Sequence, residues 1–281
     1  MITEIILVAL SVIVLIIASI YDIKTREVPD NLSIGFIVTA LAIRLIHSIV
    51  TSEYTYFFYG LIGFAAMFLI GLIMYRTKQW GGADAKLLMG LGAAFATQPF
   101  FSNFNLPFLL ILFISIIIIG GVYGFVFGLV IFFKNKKKLG KELNKNLAKN
   151  KATRNTFLII TVILVISTLF IPLFEAKAVI IFFALFLVFY YYLVIFVKTI
   201  ENNQFLKQVA LSKVTEGDWL AKDVVHKNKV LISKNNPCLT IKDLKLLKKN
   251  KINKIWIRIG IPFVPAMTLA TIFTILISMV F

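Results

Sequence analysis

Residues 106–133 read LPFLLILFISIIIIGGVYGFVFGLVIFF, and residues 134–156 continue KNKKKLGKELNKNLAKNKATRNT. The first stretch holds no charged residue, and the second holds nine Lys or Arg against one Glu. An apolar run of this length suits a bilayer, whose hydrocarbon core takes about 20 residues of helix. A dense basic run belongs outside the hydrocarbon. The same segregation runs through the whole chain of 281 residues, which is 59% hydrophobic and 15% charged with a net charge of +17. Its mean hydropathy is +0.91. Soluble domains sit nearer ~45–50% apolar and ~25% charged. The composition therefore excludes a soluble globular domain and a disordered chain.

Working outward, apolar segments recur at 2–20, 32–50, 56–75, 86–101, 106–133, 157–173, 177–197 and 260–281. The fourth is short and rich in Gly and Ala, and the sixth is cut by Pro172. Residues 21–31, 76–86, 134–156 and 198–259 together carry 28 of the 30 Lys and Arg. Basic loops gather on the cytoplasmic side. Keeping these four on one side requires an even number of crossings between them. The expectation is an all-α polytopic membrane bundle of about six to eight transmembrane helices, with both termini outside when all eight cross. Residues 2–20 lack a basic region before them and read as a retained helix. Arg44, late in the second span, is expected to snorkel outward with His47.

The organisation expected is 1–133 for the helices bearing the acidic motifs described below, 134–156 for a basic cytoplasmic segment, 157–197 for an additional helix pair, 198–259 for a small α+β cytoplasmic subdomain, and 260–281 for the last helix. Leu139, Leu143 and Leu147 form one stripe on a helix among lysines, which suits an anionic leaflet. No interleaved aromatic platform points to nucleic acid. In the subdomain, Lys229–Ser233 reads as a strand, Thr240 with Asp243 as a capping box opening a helix to about Lys249, and Asn253–Ile259 as a strand with Ile255, Ile257 and Ile259 on one face. The subdomain is expected to dock onto the membrane helices or a partner. Cys238 is the single cysteine. It permits neither an intrachain disulfide nor a thiolate cluster and reads as an inert small residue.

Acids are few, so those near the bilayer are informative. Asp22 follows the first span and Asp84 precedes the fourth, at the same expected depth. Two carboxylates held together split their proton affinities. One then serves as general base toward water while the other donates to the leaving group. Such chemistry needs no metal, cofactor or nucleophilic Cys. On the residues alone, Asp84 equally suits a helix cap and Asp22 a solvated loop. A secondary transporter using both acids as a proton relay and a non-enzymatic assembly platform also remain open at this point. The edge position of the acids, and the lack of a repeat, weigh against the transporter.

Two motifs carry a family resemblance. Residues 22–31 read DIKTREVPDN, and residues 81–87 read GGADAKL. With them the chain resembles the GxGD membrane aspartic proteases, specifically archaeal preflagellin and type IV prepilin peptidases. A strict motif would have Gly where Ala83 stands; archaeal members are similar to this looser form. A weaker match is GIPFVPA at 260–266. The resemblance implies catalytic roles for Asp22 and Asp84, with Gly81, Gly82 and Ala83 supporting the motif. It implies precursors with a basic leader and a hydrophobic helix as partners, cut at the cytoplasmic face of the cell membrane. Glu27 and Asp30 are candidate contacts for that leader. Bacterial members join N-methylation to a Cys-rich unit; the single Cys here points to peptidase activity without it. Residues 134–197 look longer than in the simplest members.

Overall fold

A computed structural model describes residues 1–102, 105–226, 229–234, 236, 238–250, 252–258 and 260–280. It is mostly helical. In chain order come α1 (Ile2–Thr25), α2 (Asp30–Thr51), α3 (Tyr54–Arg76), α4 (Gly82–Ala94), α5 (Phe108–Lys134), α6 (Lys136–Lys149), α7 (Lys151–Ser167) and α8 (Phe174–Ile200). Then follow β1 (Leu206–Ala210), β2 (Trp219–Leu220), β3 (Val224–His226), β4 (Lys229–Ile232), α9 (Ile241–Lys249), β5 (Lys254–Arg258) and α10 (Val264–Val280).

Among the described residues, six helices are long and apolar enough to cross a membrane: α1, α2, α3, α5, α7 with the 3-10 turn after it, and α8 with the π-helical turn after it. Helices α4 and α10, of 13 and 17 residues, are shorter. At 1.5 Å per residue α4 is about 20 Å long, less than the ~30 Å hydrocarbon core. The fourth and last apolar segments of the sequence are thus helices, in the expected order, but not ones that qualify as spans by length.

Two compact units divide the chain. One comprises Met1–Gly124 with Gln208–Phe281, and the other Phe125–Lys207. In the first, α4 lies among α1, α2 and α3, and α10 returns to pack on α1. Missing side chains let α4 approach this closely. A Cβ on Gly63 would collide with the Gly92 carbonyl, a Cβ on Gly92 with the Gly63 carbonyl, and a Cβ on Gly90 with the Phe36 ring. Such small-residue seams are how helices associate where lipid supplies no hydrophobic drive. The α1–α10 seam adds buried hydroxyls, with Ser19 Oγ 2.7 Å from Thr268 Oγ1.

Arg44 departs from expectation. It is fully buried, not snorkelling. Its guanidinium donates to the carbonyls of Tyr56 and Ala94 and to Thr97 Oγ1, each at 3.0 Å, and stacks 4.3 Å from the Tyr56 ring centre. Its stem fits because α3 has Gly60 there, where a Cβ would lie 2.5 Å from Arg44 Cδ. The carbonyls at the end of α4 lack intrahelical partners, and a cation suits that end of the helix. His47 likewise finds a protein partner, with Nδ1 3.0 Å from Thr3 Oγ1.

The α+β subdomain is present. Its sheet has the order β1-β5-β2, and β3 pairs antiparallel with β4. The capping box of α9 is made as expected: Asp243 N–H donates to Thr240 Oγ1 at 3.2 Å and Thr240 N–H to Asp243 Oδ2 at 2.9 Å. Ile255 and Ile257 are buried on one face of β5 with Leu220, Leu239 and Leu247. Ile259, expected on that face, lies outside the described residues. The subdomain docks on the ends of α1 and α3, and Tyr75 Oη donates to Cys238 Sγ at 3.2 Å. Lys78 Nζ donates to the Lys234 carbonyl at 2.9 Å.

In the second unit the basic run is not one helix but two, divided at Asn150. Leu139 is buried and Leu143 and Leu147 half-buried, with α6 against α8. Asn146 Nδ2 donates to Thr199 Oγ1 at 2.9 Å. The leucine stripe expected to meet lipid is therefore engaged by protein, and the lysines form the outer face.

Candidate active site

Helix α1 ends because Arg26 takes a left-handed conformation, φ 63°, and returns its N–H to the Asp22 carbonyl at 3.0 Å. This leaves Asp22 on the last turn, 7% exposed. Its Oδ2 accepts the Val264 N–H at 3.0 Å, and the Phe263 amide also serves it. Both donors belong to the N-terminus of α10, where unpaired amides and the helix dipole favour an anion. Pro262 and Pro265 flank them where a missing N–H matters least. Phe263 closes the turn by accepting from the Ala266 and Met267 amides. The junction 260–266 thus supplies the hydrogen bonds for Asp22. Arg26 reaches the same junction, donating from Nη1 to the Gly260 carbonyl at 3.0 Å.

After α3, Lys78 turns the chain through φ 59°, and Gln79 and Trp80 return their amides to the Met74 carbonyl. Trp80 is buried, Gly81 is extended, and α4 begins at Gly82. Asp84, in its first turn and outside the six long helices, accepts the Gly81 N–H at Oδ2, 2.8 Å away. The cap foreseen for Asp84 is real. A Cβ on Gly81 would fall 3.1 Å from that oxygen, a tight contact that a small shift of the carboxyl would have to relieve. Gly82 has ordinary room, with 3.7 Å to the Tyr75 ring, and Ala83 packs on the core.

The two acids lie near enough for the charge of Asp22 to act on Asp84. Some of the Asp84 surface meets solvent, yet protein atoms crowd its carboxyl. Burial pushes Asp84 up to about 7; the Gly81 amide works against this and the negative charge of nearby Asp22 adds to it. A carboxyl that holds its proton near neutrality, beside a second one fed by backbone amides, is the asymmetric pair that acid–base hydrolysis requires.

The leader candidates fare differently. Asp30 pairs with Lys86 across the two motifs, and Glu27 Oε1 accepts from Thr215 Oγ1 of the subdomain at 3.1 Å. Both remain exposed. Among the described residues no three His, Cys, Asp or Glu gather as a metal group. The sequence reading missed the donor role of Val264 and Phe263, although it had singled out their motif, and it missed Trp80.

Residues 9–137, which hold both acids, match the type IV leader peptidase family. The preflagellin peptidase of Methanococcus voltae is 33% identical over 137 residues, covering 45% of this chain and 57% of that protein. The preflagellin peptidase of Methanocaldococcus jannaschii is 37% identical over 79 residues, 28% of this chain and 33% of its own. The prepilin peptidase EppA of Methanothermobacter thermautotrophicus is 28% identical over 99 residues, 35% and 26%. The chain thus spans from about a quarter to just over half the length of these relatives. No solved structure matches. The resemblance carried by the two Asp motifs is borne out.

Proposed function

We propose that this chain is a multi-pass membrane aspartic endopeptidase that removes the short basic leader from preflagellin-like or type IV prepilin-like precursors. The observation that carries this reading is the juxtaposition of Asp22 and Asp84, each held by a backbone amide and close enough for one charge to oppose the other. Water is activated by the ionised carboxylate and adds to the scissile carbonyl. The protonated carboxyl polarises that carbonyl and then delivers its proton to the leaving amine. Asp22, which accepts amides at the α10 N-terminus, is assigned as the base, and Asp84, which burial keeps protonated up to about 7, as the acid.

The substrate helix lies in the bilayer beside α1 and α4, with its basic leader in the cytoplasm. The sidedness rests on the 28 basic residues gathered in four segments. Exposed Glu27 and Asp30 attract the leader, Asp30 after exchanging its lysine partner. Names of relatives support leader processing as the activity class.

The test is cleavage of a panel of leader-bearing precursors in membranes holding the intact chain. Asp22→Asn and Asp84→Asn are each expected to abolish processing. Parental cleavage by either variant sinks the assignment.

A further inference from the structure

Two of the amides that hold the acids have a common feature. Gly81 serves Asp84 and follows Trp80; Val264 serves Asp22 and follows Phe263. The rings of Trp80 and Phe263 meet in a tilted pair, centres 5.2 Å apart and planes at 35°. We propose that this ring pair is a spacer that sets the two carboxylates against each other, which makes Trp80 and Phe263 positioning residues of the site. The inference rests on reading Asp22 and Asp84 as the working pair.

The geometry leaves the ring pair little freedom. Trp80 is buried, and Phe113 of α5 meets its ring edge-on at 6.5 Å. Behind Phe263, α5 has Gly120, where a Cβ would come within 2.6 Å of ring atom Cε2 and 2.8 Å of Cζ. Phe263 is thus clasped between Trp80 and a helix surface that lacks a side chain. Each ring is one peptide away from an amide that holds an acid. A turn of either ring therefore displaces a donor, and losing a donor changes how that carboxyl shares its proton. Filling the core alone does not need rings. Cores accept swaps of similar volume at low cost, whereas a spacer depends on the shape of both rings.

The test uses the full chain in detergent and reads protonation without needing a substrate. A carbodiimide reacts with protonated carboxyls, and mass spectrometry gives the ratio of label on Asp22 to label on Asp84 at pH 7. Gly120→Ala pushes the Phe263 ring with a single methyl, and Phe263→Leu removes the ring pair while keeping an apolar residue. Both are expected to raise the ratio by about tenfold, the change in protonated fraction from a shift of one pKa unit. Phe263→Tyr retains the ring and is expected to return the parental ratio. In precursor cleavage the first two variants are expected to lower kcat with KM within about twofold, the pattern of lost alignment without lost binding. An unchanged labelling ratio in both Gly120→Ala and Phe263→Leu overturns the inference. Labelling needs no cleavage, so this outcome counts against the spacer whether or not the chain processes a precursor. Failure to process any precursor would instead defeat the proposed function.

Discussion

Gly92→Ala tests whether the α3–α4 seam sets the position of Asp84. An added Cβ at residue 92 would fall inside contact distance of the Gly63 carbonyl and 2.8 Å from Met67 Cβ and Cγ. Carbon atoms rest at about 3.5–4.0 Å, so relief requires α4 to retreat from α3 by about 1 Å. The backbone oxygen of Gly63 cannot swing aside as a side-chain tip does. Overpacking of this kind costs about 1–3 kcal/mol, which a membrane bundle with an extensive seam survives. The displacement matters more for chemistry, because Asp84 rides on the same 13-residue helix, and a misplacement of about 1 Å can lower a rate roughly 100-fold. The assay is initial-rate cleavage of a leader-bearing precursor, normalised to the amount of folded protein in the membrane. Gly35→Ala is the control, since nothing lies within 4 Å of a Cβ there. The expected result is normal insertion of both variants and a loss of one to two orders of magnitude for Gly92→Ala alone. Parental turnover by Gly92→Ala at parental abundance refutes the claim that close packing of α4 positions the acid.

Two further outcomes follow from buried charge. Arg44→Met leaves two carbonyls and the Thr97 hydroxyl without their donor; at about 1–3 kcal/mol per group, partly offset by removing a buried cation, the net loss is expected to be about 2–4 kcal/mol. Thermal unfolding in detergent checks it, and an unchanged midpoint refutes it. The raised pKa of Asp84 means that folding opposes its ionisation. Its contribution to stability is whole below the ordinary value of 3.8 and lost as pH climbs to about 7. Unfolding midpoints between pH 4 and pH 8 are expected to fall less in Asp84→Asn than in the parent. Parallel pH profiles for the two proteins contradict this.

How much of this was legible beforehand varies by feature, and the reasons are physical. The apolar segments gave α1, α2, α3, α5 and α8 because runs of about twenty mostly apolar residues have few other fates. The α9 cap was readable because Thr240 and Asp243 act over three residues. Arg44 was misread because a long cationic side chain near a span end can turn either way, and its burial depends on Gly60, sixteen positions on, lacking a side chain. The pairing of Asp30 with Lys86 was hidden for the same reason: a contact across 56 residues leaves no local pattern. Strands β1 to β3 are two to five residues long and show no alternation to read. At the site, the two acids and the 260–266 motif were visible as residues. That the motif's backbone, not its side chains, serves Asp22 was not visible, since any residue but proline carries an amide.

The bond from Val264 to Asp22 joins positions 242 residues apart. In a chain emerging from a ribosome, both acids are made long before α10 exists. Until then Asp22 lacks its amides and Trp80 lacks Phe263. Closing so long a loop is a late event in assembly. If the proposed peptidase reading holds, competence is tied to the arrival of α10, and a half-made chain that already displays both acidic motifs is expected to be harmless to the membrane proteins being inserted around it.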